Sequence, residues 1–242
     1  MQNIQIDRKL KEKWNQAVLG CIQCSVEVTD SPKELLDEIE EVSQQLISSM
    51  QIEDIKSREH IAQTRACCKA LGKDVKRYRN SAEAMNRRIL QGKGLYHINN
   101  VVEVNNLISV KTGYSLGTYD LDCLQGEICW TVTGEGIHYQ GIGKEAVNIE
   151  FLPVLQDELG YFGNPNSDNT RAMITERTKK ILLCVYGFGG RADLDEVLCD
   201  AKRALECYCS AKDIEMIPLE EPLSACRRAY RQLRRALDSD WE

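Results

Sequence analysis

The spacing of the apolar residues changes twice along the chain, and these changes constrain the fold more than any single motif does. From about residue 31 to residue 111, apolar side chains recur at helical spacing, as at Leu35, Ile39 and Val42. From Leu116 to Phe151 apolar and polar residues alternate, which is typical of strands. Helical spacing returns between residues 193 and 209. Helices, then a block of strands, then helices predict an α+β fold.

Local signals place the individual elements. Ser31, Pro32 and Glu34 have the pattern of a capping box at the start of a helix. Gly72 and Gly113 are expected to end two later helices. Helices are predicted over about 31–46, 57–71, 81–91, 98–111 and 193–209, and strands over about 17–28, 118–122, 126–133, 147–151 and 181–186.

The segment from Asp157 to Lys180 is rich in turn-forming residues and lies between two apolar runs. Its glycines favour positive φ, its proline fixes φ, and its Asn and Asp side chains can bond to their own backbone. A connection of this length is uncommon in a compact domain unless it binds a ligand or is disordered. Because Tyr161, Phe162 and Met173 lie within it, we predict a binding or lid loop.

Composition bounds the class of protein and its compartment. The net charge of −6 argues against a surface coated for nucleic acid, although it allows a local basic patch. The segment from Met1 to Lys13 is polar, and no apolar run approaches the roughly 18 residues that a membrane span needs. The cysteines are odd in number, 11, and mostly lie in apolar contexts. We therefore expect reduced cysteines, a cytoplasmic location and no membrane association.

No metal or cofactor is expected. Cys21 and Cys24 lie three residues apart in a predicted strand, so they should face opposite sides, and no second pair accompanies them. The three histidines follow no metal-binding pattern. The run from Gly187 to Gly190 follows a predicted strand but lacks the Lys-Ser/Thr of a P-loop and the spacing of a dinucleotide fingerprint. We interpret it as a connecting loop.

Basic residues are concentrated in two places. The first is the segment from Lys73 to Lys93, which is either a solvated helix face or a surface that contacts phosphates. The residues assigned there to RNA binding are Arg79, Arg87, Arg88 and Lys93. The second is the C-terminal stretch, where residues 211–242 are predicted to form an amphipathic, arginine-rich helix. That helix either docks on the body of the protein or contacts a partner such as RNA.

Polar residues near the strand ends and in the long segment suggest a pocket. They are Tyr119, Asp120, Asp122, Glu135, Glu145, Asp157, Asp168, Arg171, Thr175 and Glu176. Such a set suits recognition of an amine and hydroxyl groups, and it also suits orientation of a water for attack on an activated ester. Asn105 and Asn106 lie on the predicted 98–111 helix, where each is either a structural tie to a loop or part of a pocket wall.

Several separated motifs, in order, carry a resemblance to a known family. They are Asn99–Ser109, Thr112–Gly113, Gly117–Asp122, Asp157–Glu158, Phe162–Pro165, Ser167–Asp168, Arg171 and Ile174–Thr175. From about Tyr78 to Tyr208 the chain resembles the free-standing relatives of the B-three/B-four unit of the phenylalanyl-tRNA synthetase beta subunit. In the bacterial synthetase this unit carries the editing site, which hydrolyses tyrosine wrongly attached to phenylalanine tRNA.

The resemblance implies a single domain over residues 1–242, with a three-layer fold whose central, mostly antiparallel sheet is flanked by helices. It also implies one pocket for the amino-acid moiety at the aminoacylated 3′ end of a tRNA, walled by the long segment and by residues 99–122. There Asp168, Thr175 and Glu176 would orient the attacking water. The residues expected to hold the substrate are Asn105, Asn106, Tyr119, Asp120 and Arg171.

Two functional hypotheses follow. The first is a trans-acting aminoacyl-tRNA deacylase, in which Arg171 and the basic helix hold phosphates. The second is a non-catalytic module that binds tRNA or a small amino-acid-like ligand and uses the same carboxylates to grip an amine. Release of the amino acid from a mischarged tRNA distinguishes the two.

Overall fold

The helices of the protein follow the predicted ones and include one more near the N-terminus. The structure, a computed structural model, describes residues 2–143 and 146–219. The helices are α1 (Arg8–Lys13), α2 (Lys33–Ser49), α3 (Glu59–Ala70), α4 (Ser81–Leu90), α5 (Asn100–Thr112) and α6 (Leu194–Cys209). No helix in this described part of the chain is long and apolar enough to cross a lipid bilayer.

The strands within the described residues form two four-stranded sheets and one two-stranded ladder. They are β1 (Ile4–Ile6), β2 (Val18–Ser25), β3 (Ser115–Asp120), β4 (Ile128–Val132), β5 (His138–Tyr139), β6 (Val147–Asn148), β7 (Pro153–Asp157), β8 (Gly160–Gly163), β9 (Lys180–Gly187) and β10 (Lys212–Leu219). The first sheet has the order β10-β2-β9-β3 and is antiparallel throughout. The second has the order β1-β4-β7-β8, and only β1 and β4 run parallel. The strands β5 and β6 pair with each other.

Alternate side chains of β2 and β9 divide the core into two halves. On one face of the first sheet, Cys24 and Leu183 pack with side chains of α2, α5 and α6. On the other face, Cys21 and Leu182 pack against the second sheet, which contributes Trp130. The predicted opposite orientation of the two cysteines is therefore confirmed. The predicted α+β class, with mostly antiparallel sheets flanked by helices, is also confirmed, and the second sheet forms the third layer.

Local chemistry explains where α4 and α5 begin and end. The side chain of Asn80 accepts a hydrogen bond from the Glu83 N–H at 2.8 Å, which caps α4. The helix α5 ends at Gly113, whose φ of +81° is accessible to glycine at little cost. The predicted cap of α2 at Ser31 is wrong. Pro32 is the N-cap, and its fixed φ starts the helix without any side-chain hydrogen bond.

Three other segments differ from their predictions. The predicted strand over 147–151 is shorter, because β6 ends at Asn148 and Phe151 has a φ of +57°, which is not an extended conformation. The segment from Asp157 to Lys180 is not one continuous loop, because it contains β8 and a short 3-10 turn at Thr170–Ala172. A tight turn at Gly160, with φ of +116°, lets β8 pair with β7. Residues 212–219 form β10, so the predicted helix over 211–242 is wrong there, because these residues pair along β2 at the sheet edge. Residues 220–242, with the C-terminal arginines, lie outside the described residues.

Candidate functional site

The strand β3 directs successive side chains into different halves of the core, and this separates residues that were predicted to share one pocket. The Thr118 hydroxyl faces the helix layer, where it donates a hydrogen bond to Asn105 Oδ1 at 3.0 Å. Tyr119, the next residue, is buried on the other face among side chains of the second sheet. Asp120 returns to the helix side, since the side chains of a strand alternate.

Polar residues on the helix side of β3 form two hydrogen-bonded sets, which we together call the helix-side cluster. Its members are Asn105, Asn106, Thr118, Asp120, Thr175 and Thr178. The buried Thr178 hydroxyl donates to Asp120 Oδ2 at 2.6 Å and accepts the Thr175 N–H at 3.0 Å. The other carboxylate oxygen of Asp120 accepts the Asp122 N–H at 3.0 Å. The cluster thus ties both α5 and the turn at residues 175–178 to β3.

Some polar groups in and beside this cluster remain available to a ligand. Thr175 and Glu176 are exposed. The Thr175 hydroxyl has only long contacts within the protein, since it accepts the Arg177 N–H at 3.3 Å and lies 3.5 Å from the Thr178 hydroxyl. Within residues 2–143 and 146–219, Glu176 makes no hydrogen bond or ion pair. Asn106 is half-buried, and its amide oxygen accepts one long hydrogen bond, at 3.4 Å, from Asn105 Nδ2. The Thr175 hydroxyl and the Asn106 amide are hydrogen-bond donors, and Glu176 adds a carboxylate. Together they could bind a carbonyl oxygen and a water molecule.

Two members of the cluster, Thr118 and Thr178, were not among the predicted site residues. Each has a signal in the sequence. Thr118 lies two positions before Asp120 on the same strand, so the two side chains share a face. Thr178 lies three positions after Thr175, a spacing at which hydroxyl side chains commonly bond to the backbone of their own turn. Neither signal identifies the partner, because the partner comes from another element.

A second polar group lies between the two sheets, and we call it the inter-sheet cluster. It consists of Tyr119, Tyr139, Asn164, Asp168 and Tyr186. The Tyr119 hydroxyl donates to Asp168 Oδ1 at 2.7 Å and lies 2.6 Å from the Tyr186 hydroxyl. The Asn164 N–H donates to the same Asp168 oxygen at 3.3 Å. Asp168 is therefore held by phenol and backbone donors, away from Thr175 and Glu176.

Two glycines make room for the Tyr119 hydroxyl. A Cβ atom at Gly117 would lie 2.0 Å from this oxygen, and a Cβ at Gly163 would lie 2.1 Å from it. Both distances are far below van der Waals contact, so a side chain at either position would displace the ring. Gly117 and Gly163, which belong to two of the motifs that carry the family resemblance, therefore leave the space in which the Tyr119 hydroxyl reaches Asp168.

Burial perturbs the acid–base properties of the inter-sheet cluster. Desolvation raises the pKa of Asp168 to about 7, and the hydrogen bonds from Tyr119 and from the Asn164 backbone oppose that rise. Burial and the nearby Asp168 charge hold the pKa values of Tyr119 and Tyr186 well above their usual range. Protonated and ionised Asp168 therefore coexist near neutral pH, while the phenols stay neutral hydrogen-bond donors.

The raised pKa of Asp168 predicts a pH-dependent stability. Between about pH 4 and pH 7 the unfolded chain has lost this proton while the folded chain keeps it, so the free energy of unfolding falls as pH rises. The contribution of this one group has a slope of at most about 1.4 kcal/mol per pH unit and levels off above pH 7. Urea unfolding of wild type and Asp168→Asn across this range measures it. A difference between the two proteins that does not change with pH would contradict the prediction.

Arg171 lies apart from both clusters, in contact with a buried carboxylate. Its Nη2 donates to Asp157 Oδ1 at 2.9 Å and its Nη1 to Asp157 Oδ2 at 3.1 Å. The same two nitrogens donate to the carbonyl oxygens of Cys123 and Gly160. Asp157 has a fully buried side chain and also accepts the N–H groups of Gln125 and Leu159. Both Nη atoms of Arg171 are thus occupied within the protein.

The basic residues of α4 and its flanking segments line one open groove, which we call the basic groove. Its volume is about 340 Å³, and its lining residues are Arg77, Arg79, Ala84, Arg87, Arg88, Gln91 and Lys93. The structure therefore brings together all four residues that the sequence assigned to RNA binding. No acidic side chain is among these lining residues, so the groove is positive although the chain as a whole is negative.

A buried glutamate beneath the groove holds three arginines in place. Glu83 accepts a hydrogen bond from Arg87 Nε at 2.9 Å and one from Arg65 Nη1 at 2.7 Å, and Arg79 Nε lies 3.7 Å away. The Glu83 side chain is 1% exposed, whereas that of Arg79 is 51% exposed. A single carboxylate therefore orients several cations without cancelling their charge at the surface. Sequence reasoning did not single out Glu83, because it resembles any helix-face acid.

The predicted site residues thus fall into separate places. Asn105, Asn106, Asp120 and Thr175 lie in the helix-side cluster with Glu176 beside it, whereas Tyr119 and Asp168 lie between the sheets. No group of His, Cys, Asp and Glu in the described ranges, 2–143 and 146–219, has the make-up of a metal site. Glu145 lies outside these ranges.

Comparisons with known proteins bear on the family. The sequence has no significant match among curated proteins. Among solved structures, the chain is similar to an N-terminal fragment of the phenylalanyl-tRNA synthetase beta subunit from Pyrococcus horikoshii, at 14% identity and a TM-score of 0.44. That match covers 89% of this chain, which spans about half, 53%, of the fragment. The family model for the B3/4 domain matches residues 63–194, more than half of the chain. The chain belongs to the B3/4 domain family.

Proposed function

We propose that the protein is a trans-acting aminoacyl-tRNA deacylase, which hydrolyses the ester between a tRNA and a wrongly attached amino acid. The observation that carries the proposal is the helix-side cluster. It ties Asn105 to Thr118 within residues 99–122, the first stretch that carries the family resemblance. The Asp120–Thr178 hydrogen bond then joins this stretch to the turn at 175–178, which begins at Thr175, the last residue of the second stretch. Membership of the B3/4 domain family supports the same conclusion.

In the proposed pocket, the hydrogen-bonded Asp120 and the more exposed polar groups have different roles. Asp120 is fixed by Thr178 and the Asp122 N–H, so it supplies a stationary negative charge near the site of the substrate amine. The exposed Thr175 hydroxyl and the Asn106 amide are donors for the ester carbonyl. Glu176, exposed and unpaired among the described residues, is the proposed general base.

The reaction needs no covalent intermediate. Glu176 takes a proton from water, the water oxygen bonds to the ester carbonyl carbon, and the carbon–oxygen bond to the ribose breaks. The ribose oxygen takes the proton from Glu176, which restores the base, and the products are the free amino acid and the tRNA 3′-hydroxyl. An aminoacyl ester is an activated substrate, so orientation and hydrogen-bond donors supply much of the required rate enhancement.

Three predicted site residues receive indirect roles in this proposal. Asp168 and Tyr119 hold the second sheet against β3, and their raised pKa values reflect burial rather than contact with substrate. Arg171 anchors the long segment through Asp157. We propose them as positioning residues, because the groups of theirs that would meet a substrate are bonded within the protein.

The basic groove supports an association with tRNA. It gathers cations on α4, and α4 is joined to α5, which carries Asn105 and Asn106, by residues 91–99. Phosphate contacts of this kind give most of the affinity of a protein for a nucleic acid. The groove also favours a second candidate function, a non-catalytic tRNA-binding module, since it could act without any hydrolysis.

The test is a deacylation assay of the purified protein against a panel of tRNAs, each charged with a non-cognate amino acid. The proposal expects release of the amino acid from at least one member at a rate above spontaneous hydrolysis. Measurable tRNA binding without acceleration for any member would exclude the deacylase and leave the binding module.

For a tRNA that is hydrolysed, substitutions next to the cluster should lower the rate without unfolding the protein. Glu176→Gln is expected to lower kcat by about 10²-fold or more, because it removes the base. Thr175→Val removes one donor and is expected to cost about tenfold or more. Single-turnover rates measure both effects. Arg177→Gln is the control, since Arg177 is an exposed neighbour outside the cluster. A rate for Glu176→Gln equal to that of the control would remove Glu176 from the mechanism.

A further inference from the structure

An exposed aromatic ring lies at the edge of the basic groove. Tyr96 is 66% exposed, which is unusual for a large aromatic side chain. The guanidinium of Arg88 lies 3.9 Å from the centre of its ring, within the range of a cation–π contact. The Arg88 Nη1 also donates to the Tyr96 hydroxyl at 3.1 Å. One face of the ring is thus covered by a cation, and the large exposed area leaves the ring accessible to a ligand.

Arg88 belongs to this stacked pair and to the groove lining at once. Its Nη2 donates to the backbone carbonyl of Lys93 at 3.4 Å, which ties the pair to the loop after α4. Arg77, Arg79, Arg87 and Lys93 complete the positive lining of the groove. A flat apolar surface therefore lies directly beside a row of cations.

We propose that this surface binds a single-stranded stretch of RNA, with one unpaired base stacked on Tyr96 and the neighbouring phosphates in the basic groove. The inference rests on the proposed association with tRNA and names the way in which the RNA is held. A single strand presents a flat base and an anionic phosphate in alternation, and aromatic and cationic side chains recognise these two groups. A paired base has both faces covered and cannot use the ring.

Other anionic partners match the surface less well. The side chains of an acidic peptide would pair with the cations of the groove, but they have no flat ring that could stack on Tyr96. An anionic membrane attracts basic residues but is usually met by an amphipathic helix, whereas Tyr96 and the exposed Ile98 lie in the non-helical segment between α4 and α5. The experiment therefore includes polyglutamate and phosphatidylserine vesicles as alternative ligands.

The experiment measures binding of a short, mixed-sequence single-stranded RNA by fluorescence anisotropy, with the same strand in a duplex as comparison. Tyr96→Ala is expected to weaken single-strand binding by about fivefold or more, while Tyr96→Phe, which keeps the ring, stays within about twofold. Lys93→Gln is expected to weaken binding of both RNAs, because it removes charge alone. A 2-aminopurine base in the single strand should change fluorescence on binding, and Tyr96→Ala should abolish that change.

Each outcome has a distinct meaning. Equal single-strand affinity of Tyr96→Ala and wild type, with loss on Lys93→Gln, would overturn the stacking inference and leave the tRNA association intact. Failure of every protein to bind RNA would overturn both. Tighter binding to phosphatidylserine vesicles or to polyglutamate than to RNA would assign the surface to another partner. Because Tyr96 and Lys93 are exposed, unchanged unfolding temperatures of the variants confirm that folding is intact.

Discussion

Arg171→Met is expected to lower the free energy of unfolding by about 3 to 5 kcal/mol, as removal of one partner from a buried ion pair generally does. The substitution leaves the Asp157 carboxylate buried with only backbone donors. It also removes hydrogen bonds to the carbonyl groups of Cys123 and Gly160, which fix the segment around β8. Urea-induced unfolding, with intrinsic fluorescence as the signal, measures the loss.

A second substitution separates the buried charge from the lost packing. Asp157→Asn in the Arg171→Met background removes the buried charge and keeps one oxygen, which can accept one of the two backbone N–H groups, from Gln125 or Leu159. The double variant should therefore be more stable than Arg171→Met alone. Arg177→Met, at an exposed arginine of the same segment, should change stability by less than about 0.5 kcal/mol. A loss at Arg171 no larger than at Arg177 would refute the structural role.

Glu83→Gln is expected to cost about 2 to 4 kcal/mol, somewhat less than a fully buried pair because its arginines can partly regain water. The side chains of Arg65 and Arg87 are each 23% exposed, so the loss of the carboxylate leaves both cations only partly hydrated. The three arginines would also repel one another, because the negative charge that lies among them is gone. Urea unfolding at low ionic strength measures the effect.

A matched control substitution and a double variant test whether the loss of stability comes from the contacts of Glu83. Glu40 lies on an exposed face of α2, and Glu40→Gln should change stability by less than about 0.5 kcal/mol. Arg65→Met should cost less in the Glu83→Gln background than in the wild type, because the two residues interact directly. Additive costs would show that Glu83 does not act through Arg65.

The elements that the sequence predicted well are those with signals of their own. The helix α5 has an apolar face at helical spacing and a glycine stop at Gly113, and the strand β9 is a continuous apolar run between two layers. These signals are local, so no knowledge of the partner element is needed. The strand β10 also carries such a signal, since Ile214 and Met216 alternate with charged residues, but the proximity of the arginine-rich stretch favoured a helix.

The grouping of the site residues was predicted less well, in one case because the alternation of the predicted strand over 118–122 was not applied to it. Tyr119 and Asp120 are adjacent in the sequence and were predicted to line one pocket, yet alternation along β3 sends them to opposite faces. The Asp157–Arg171 pair spans β8, and no spacing rule links the two residues. Such contacts depend on how the sheets stack, which is decided by packing of the whole core.

The division by β3 also changes the chemistry that can be proposed. With Asp168 held between the sheets by Tyr119 and Asn164, water activation is left to Glu176. The proposed active site is consequently open and polar, and it relies on orientation rather than on a strongly perturbed buried acid. Substrate selection would then depend on the side chains around Asn105, Asn106 and Thr175.

The most direct test of this account locates an aminoacyl end on the protein. Labelled protein is titrated with a panel of 3′-aminoacylamino-adenosines, in which a stable amide replaces the ester, and nuclear magnetic resonance follows side-chain and backbone signals. We expect at least one compound to shift the side-chain amides of Asn105 and Asn106 and the backbone amide of Thr175, while those of Tyr119 and Asp168 stay in place. Shifts confined to Tyr119 and Asp168, or no shift with any compound, would contradict the helix-side cluster as the binding site.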